Sequence, residues 1–225
     1  MPEISRNHSA PAPAPARVIN AGKGGHNTRD LLARYEADAA VHRPDLLILG
    51  VGTNDALNSA NSVPLHEYRE NARKLIHNVR ACGASIMVLT PLPCMDEYVL
   101  ERHDAGFFRG ETPSARVARY VEALKTLCAS ERVPVVDLYG LFLREAPPRE
   151  TAASWLCNPA NSGKRDGVHP TDAGYEAITT AIIKLIRCRA LPHQRVVCFG
   201  DSITYGEGAS TGKSYPARLQ KLLEA

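Results

Sequence analysis

The chain has 225 residues, 44% hydrophobic and 23% charged, with a net charge of +3. That length and balance suit one globular α/β domain with a full core. The weak charge, without a Lys/Arg cluster or interleaved aromatics, argues against a nucleic-acid groove.

In chain order, residues 1–16 end in strict Ala-Pro alternation, which is expected to form a disordered, extended spacer ahead of a folded domain at 17–225. "RVINAG" is a short strand, and 27–43 a helix capped by Asn27 or Thr28. "DLLILGVG" (45–52) is an apolar run of the kind buried on both faces of a parallel sheet. Pro64 opens a helix whose apolar positions, Leu65, Tyr68, Ala72, Leu75, Ile76 and Val79, recur at helical spacing until Gly83. Strands at 84–90, 133–138 and 195–199 alternate with helices at 114–131, 171–189 and 214–225. Such alternation predicts a three-layer α/β/α domain, flavodoxin-like, with a mainly parallel sheet and its chemistry at the strand carboxyl ends. Segments 91–112 and 139–165 are long for plain connections. In the first, Tyr98, Phe107 and Phe108 either roof a substrate pocket or anchor a packed surface excursion.

Two readings compete for the tail "VVCFGDSITYGEGASTGKS". A phosphate loop needs a Gly five positions before Gly212, and that position is Glu207, so a nucleotide-binding 206–214 loop is the weaker alternative. The stronger one takes Ser202, just past the carboxyl end of a buried strand, as a nucleophile that needs a base. His169 is the candidate, with Asp166 three residues before it to orient or merely neighbour the ring. Gly24 and Gly25 offer bare backbone amides after the first strand, and Asn54 offers a side-chain amide after the second, all candidate oxyanion donors. Each piece also has a plain structural use: a turn at Gly-Asp-Ser, a helix start with a surface His at 166–169, a tight turn at the glycines and an Asx-type turn at Asn54.

Taken together, "GDSIT", "GKGG", "GTND" and "DGVHP" resemble the blocks of the SGNH (GDSL) hydrolase family over about residues 17–225. The resemblance implies Ser202 as nucleophile, His169 as base and acid, Asp166 as third member of a triad, and an oxyanion hole from the Ser202 amide, the Gly25 amide and the Asn54 side chain. It implies a serine esterase acting on short-chain acyl esters, acetyl-type among them, with neither metal nor organic cofactor. The partner implied is a small-molecule ester, with no nucleic acid and no membrane. Thioesterase, lysophospholipase and carbohydrate O-acetyl deacetylase activities are alternatives on the same site. The order departs from the family: here Gly25, Asn54 and Asp166/His169 precede Ser202, and moving 195–225 to the front would restore it. A circular permutation, joined through "ALPHQ" (190–194), predicts that Arg17 and Ala225 lie close together. A truncated tandem or a domain-swapped dimer would produce the same order.

The six Cys are scattered without a Cys-x-x-Cys pair, and Cys188 and Cys198 sit in or beside apolar runs. Thiols serving as small hydrophobes, the lack of an apolar signal region and the lack of a membrane-length stretch together predict a cytoplasmic protein.

Overall fold

The computed structural model describes residues 15–224. The spacer expected at 1–16 lies outside that range except for Pro15 and Ala16, and Ala16 is buried.

The strands are β1 (Arg17–Gly22), β2 (Leu46–Gly50), β3 (Ser85–Leu89), β4 (Val135–Val136) and β5 (Arg195–Gly200). They form one sheet in the order β1-β5-β2-β3-β4, with every pairing parallel. Counted from β5, the order reads 2-1-3-4-5, that of flavodoxin-like sheets. The long helices are α1 (Thr28–Asp38), α3 (Leu65–Ala81), α5 (Pro113–Ser130), α8 (Asp172–Cys188) and α10 (Tyr215–Glu224). Between them lie short ones: α2 (Thr53–Leu57), α4 (Asp96–Arg102), α6 (Leu138–Glu145), α7 (Pro159–Ser162) and α9 (Ser202–Tyr205).

Side-chain alternation along the strands builds two cores. In β2, Leu47 and Leu49 enter a cluster with residues of α1, α3 and α5, while Leu46 and Ile48 enter one with residues of α8 and α10. All four leucine and isoleucine side chains are inaccessible to solvent, so the predicted two-sided burial and three layers are present. The apolar stripe of α3 is buried from Tyr68 to Val79, as its spacing requires.

Two boundaries differ from expectation. The helix predicted to Arg43 stops at Asp38 and gives way to a 3₁₀ turn at Ala40–His42, with Arg43 left-handed at φ 48°. The strand predicted over 133–138 pairs only at Val135–Val136, because Asp137 turns the chain and caps α6 through the Gly140 amide. Of the aromatics of 91–112, Tyr98 lines a cavity with Met95, Pro148 and Glu150. Tyr98 and Phe108 are buried, and Phe107 packs under the Arg116 guanidinium, 4.3 Å from its ring centre.

The start of β1 meets the last helix. Gln220 on α10 accepts a hydrogen bond from the Val18 amide (2.6 Å) and donates to the Ala16 carbonyl (2.8 Å). Ala225 itself lies outside the described residues. At the other junction, residues 190–194 carry α8 into β5, and the Arg17 amide donates to the Gln194 carbonyl.

Candidate active site

Register brings three strand ends to one level. Gly22 of β1 and Gly50 of β2 both align with Gly200 of β5. The chain then leaves β5 through Asp201 into α9, and the one-turn helix lies directly over the three glycines. A Cβ on Gly22 would sit 2.1 Å from the Tyr205 nitrogen, and one on Gly200 would sit 2.4 Å from the Gly50 carbonyl oxygen. Glycine at these strand ends is therefore what lets the Ser202 turn approach the sheet.

The turn is anchored on every side. Asp201 caps α9 by accepting from the Ile203 amide (2.9 Å). Tyr175 of α8 donates to the Ile203 and Glu207 carbonyls (3.1 and 2.8 Å), and Tyr215 of α10 donates to Thr204 (2.9 Å). The segment 206–214 belongs to this scaffold. Gly206, at φ 111°, ends α9, and Gly208 packs against the Pro170 carbonyl and His169, where a Cβ would clash at 2.5 Å. The Ser210 amide donates to Asp172 (2.8 Å).

Asp166, His169 and Ser202 converge. Ser202 Oγ stands 2.9 Å from His169 Nε2, and His169 Nδ1 stands 2.8 Å from Asp166 Oδ2. Asp166 Oδ1 also accepts the Val168 and His169 amides (2.8 and 2.7 Å). Burial pushes the Asp166 pKa up, but the His169 hydrogen bond and charge and the two amides outweigh it and bring it down to about 2. An ionised carboxylate only accepts, so Nδ1 carries the proton and the Nε2 lone pair faces the serine hydroxyl. That arrangement can withdraw a proton from Oγ and stabilise the imidazolium that results.

The loop of Asp166 and His169 is clamped by segments to which sequence reasoning gave no such role. Cys157 exchanges hydrogen bonds with it, its amide donating to the His169 carbonyl and its carbonyl accepting from the Gly167 amide (both 2.8 Å). The Met95 amide donates to the Gly167 carbonyl (2.9 Å), and Gly167 is left-handed at φ 68° with Met95 and Tyr98 against it. Arg165 pairs with Glu97 and Glu101 on α4 and covers the Tyr98 ring. The 91–112 and 139–165 segments therefore serve as struts for residues 165–169.

Gly25 and Asn54 follow the neighbouring strand ends. Gly25 is exposed at φ 77°, with nothing within 4 Å of a Cβ placed there, and Gly24 is likewise open. Asn54 Nδ2 donates one hydrogen to the His26 carbonyl (2.9 Å), which ties the Gly25 loop to α2. Beneath them, Asp55 accepts from the Thr28 amide and hydroxyl, and burial pushes its pKa up to about 7. Sequence reasoning missed Arg34, which lies between these loops. The available signal was its place beside Leu31 and Tyr35 on the buried face of α1, where a charge needs a reason.

All six cysteines are free, four of them buried, whereas Cys188 is exposed because it falls at the last residue of α8. Among the described residues, no helix is long and apolar enough to cross a membrane.

Comparison with known proteins agrees with this architecture. Residues 5–177 match the model of the GDSL-like lipase/acylhydrolase family, well over half of the chain. An acetylxylan esterase of Geobacillus stearothermophilus is 25% identical over 181 residues, covering 76% of this chain and 72% of that protein. The uncharacterized lipoprotein YqeF of Bacillus subtilis is 30% identical over 179 residues, covering 73% and 71%. Among solved structures, the lipase/acylhydrolase from Enterococcus faecalis superposes with a TM-score of 0.56 at 23% identity, covering 73% of this chain and 72% of that one. The parallel sheet flanked by helices is therefore the fold of these structures, and the chain is a carboxylic ester hydrolase belonging to the GDSL-like lipase/acylhydrolase family.

Proposed function

We propose that the protein is a serine esterase that hydrolyses short-chain acyl esters, acetyl esters first among them, through an acyl-enzyme on Ser202. The observation that carries this reading is the unbroken line from Asp166 through His169 to Ser202 Oγ, with hydrogen-bond distances of 2.8 and 2.9 Å. His169 Nε2 takes the hydroxyl proton as Oγ attacks the acyl carbonyl, and returns it to the departing alkoxide. Water then attacks the acyl-enzyme by the same route and releases the acid. The oxyanion is received by the Ser202 and Gly25 amides and by the second Nδ2 hydrogen of Asn54.

The test is labelling with a fluorophosphonate followed by mapping of the modified residue, with Ser202→Ala assayed on p-nitrophenyl acetate. Labelling at Ser202 and loss of turnover in a folded variant are expected; label elsewhere, or activity retained, defeats the proposal. Asn54→Ala should lower kcat by about 10²–10³.

A second reading places the acetyl group on a carbohydrate. It is favoured by the similarity to an acetylxylan esterase and by Tyr205, an exposed aromatic one helical turn past Ser202 that is suited to stacking on a sugar face. Acetylated xylo-oligosaccharides against p-nitrophenyl acetate, compared by kcat/KM, discriminate the two.

The chain order is best explained by circular permutation within one domain. The flavodoxin-like order counted from β5 supports it, as does the seam between α10 and the start of β1. A variant with 195–225 moved ahead of residue 17 should fold and retain activity; an insoluble or inactive product counts against this history. The buried thiols support a cytoplasmic setting.

A further inference from the structure

Where the β1–β5 pairing runs out, the Gly200 carbonyl takes the Lys23 amide (3.1 Å), and one buried side chain adds a second donor there and another at the Ala21 carbonyl. A carbonyl oxygen has two lone pairs and can accept both. Arg34, only 9% exposed, donates from Nη1 to the Ala21 carbonyl (2.8 Å) and from Nη2 to the Gly200 carbonyl (2.7 Å). Its Nε donates to His26 Nδ1 (3.1 Å), and Nη1 also meets Asp38 (3.0 Å). The guanidinium lies over the Phe199 ring, 4.4 Å from its centre.

Three of these partners lead to a proposed reacting group. Gly200 precedes Asp201 and the Ser202 nucleophile turn. Ala21 begins the stretch that ends at Gly25. His26 follows Gly25, and its carbonyl holds Asn54 Nδ2. Because a guanidinium can only donate, His26 Nδ1 must accept, so this imidazole is neutral with its proton on Nε2 and its orientation set. One rigid, planar fork thus spans the nucleophile turn and the loop that carries Gly25 and, through the His26 carbonyl, holds Asn54. Lysine, with one ammonium and no plane, cannot reach all four partners at once.

We propose that Arg34 is a positioning residue for the reaction: by bonding Ala21, Gly200 and His26 together, it sets the distance between Ser202 and the Gly25–Asn54 donors. This rests on the esterase reading of the site. It touches no reacting atom, and its effect is to hold an oxyanion geometry in which a displacement of about 1 Å can cost about 10²-fold in rate.

The test measures Arg34→Lys for kcat, KM, unfolding midpoint and affinity for a small boronic acid, which forms a tetrahedral anionic adduct on an active serine. The expected result is a kcat lower by about 10²-fold, a KM within about threefold of wild type, and boronate affinity reduced in step with kcat. Arg34→Ala should recover part of its activity on addition of methylguanidinium, which refills the vacated fork. A kcat within about threefold of wild type overturns the proposal. So does a lowered unfolding midpoint with boronate affinity of the folded protein intact, which assigns Arg34 to stability alone. Ser202→Ala run in parallel separates the cases: full activity in that variant sinks the esterase reading, whatever Arg34 does.

Discussion

The Ser202 turn and the Asp166–His169 loop deliver the two halves of one hydrogen-bonded line, yet they are held by different physics. The turn at 201–205 is wedged against strand-end glycines and tied by the buried hydroxyls of Tyr175 and Tyr215. The loop at 165–169 hangs from backbone hydrogen bonds to Met95 and Cys157, and its outer side carries exposed ion pairs to α4. Their aspartates diverge accordingly. Burial pushes the Asp201 pKa up to about 6, whereas Asp166 ends at about 2 because His169 and two amides outweigh its burial. A carboxyl's environment, more than its nearness to the serine, decides which charge state it can hold.

The largest expected effect tests the loop's half. Asp166→Asn should lower kcat by about 10²–10⁴-fold, since the amide cannot hold the imidazole in the tautomer that faces Ser202. A loss below about tenfold would reduce Asp166 to a cap for the Val168 and His169 amides. Next comes the wedge: Gly22→Ala places a Cβ into the Tyr205 nitrogen, and unfolding in urea should show a loss of about 3 kcal/mol or more. A mild effect would mean that α9 can lift from the sheet, and the contrast between the regions would fail.

The two aspartates predict opposite pH slopes. The folded Asp166 value lies below the ordinary carboxylate value of about 4, so its stabilisation is complete above that pH and is lost as the pH falls toward about 2. The folded Asp201 value lies above it, so ionisation costs stability that disappears progressively as the pH rises from about 4 to about 6. Asp201→Asn keeps an oxygen to accept from Ile203 and removes the charge. Its stability should change less than wild type between pH 4 and 7, by about 2 kcal/mol in urea titrations; an unchanged slope would place Asp201 among ordinary carboxylates. The smallest effect concerns the exposed clamp. Arg165→Met should cost under about 1 kcal/mol and leave kcat within about threefold, while a larger fall in kcat would show that charge on α4 holds the loop.

Much of this site is legible in the residues alone. The strand-end positions of Ser202, Gly25 and Asn54 follow from apolar runs that stop at glycine, and the Asp166/His169 pair lies within one turn of chain. The long helices are legible for the same reason, since a buried stripe such as that of α3 repeats within a few residues. The struts are harder to see. Nothing local to Met95 or Cys157 announces a hydrogen bond to a loop far away in sequence.

The sequence by itself determined the order of strands and helices, the two-sided burial of the central strands and the residue types at their carboxyl ends, because these depend on periodicity and on side chains close together in the chain. Only the tertiary structure decided that β4 would shrink to two residues, that the tail strand would insert between β1 and β2, and that Arg34 would bridge to Gly200 across 166 positions. Such outcomes depend on the competition of distant groups for the same strand edge or the same carbonyl, and that competition is settled only when the whole chain packs.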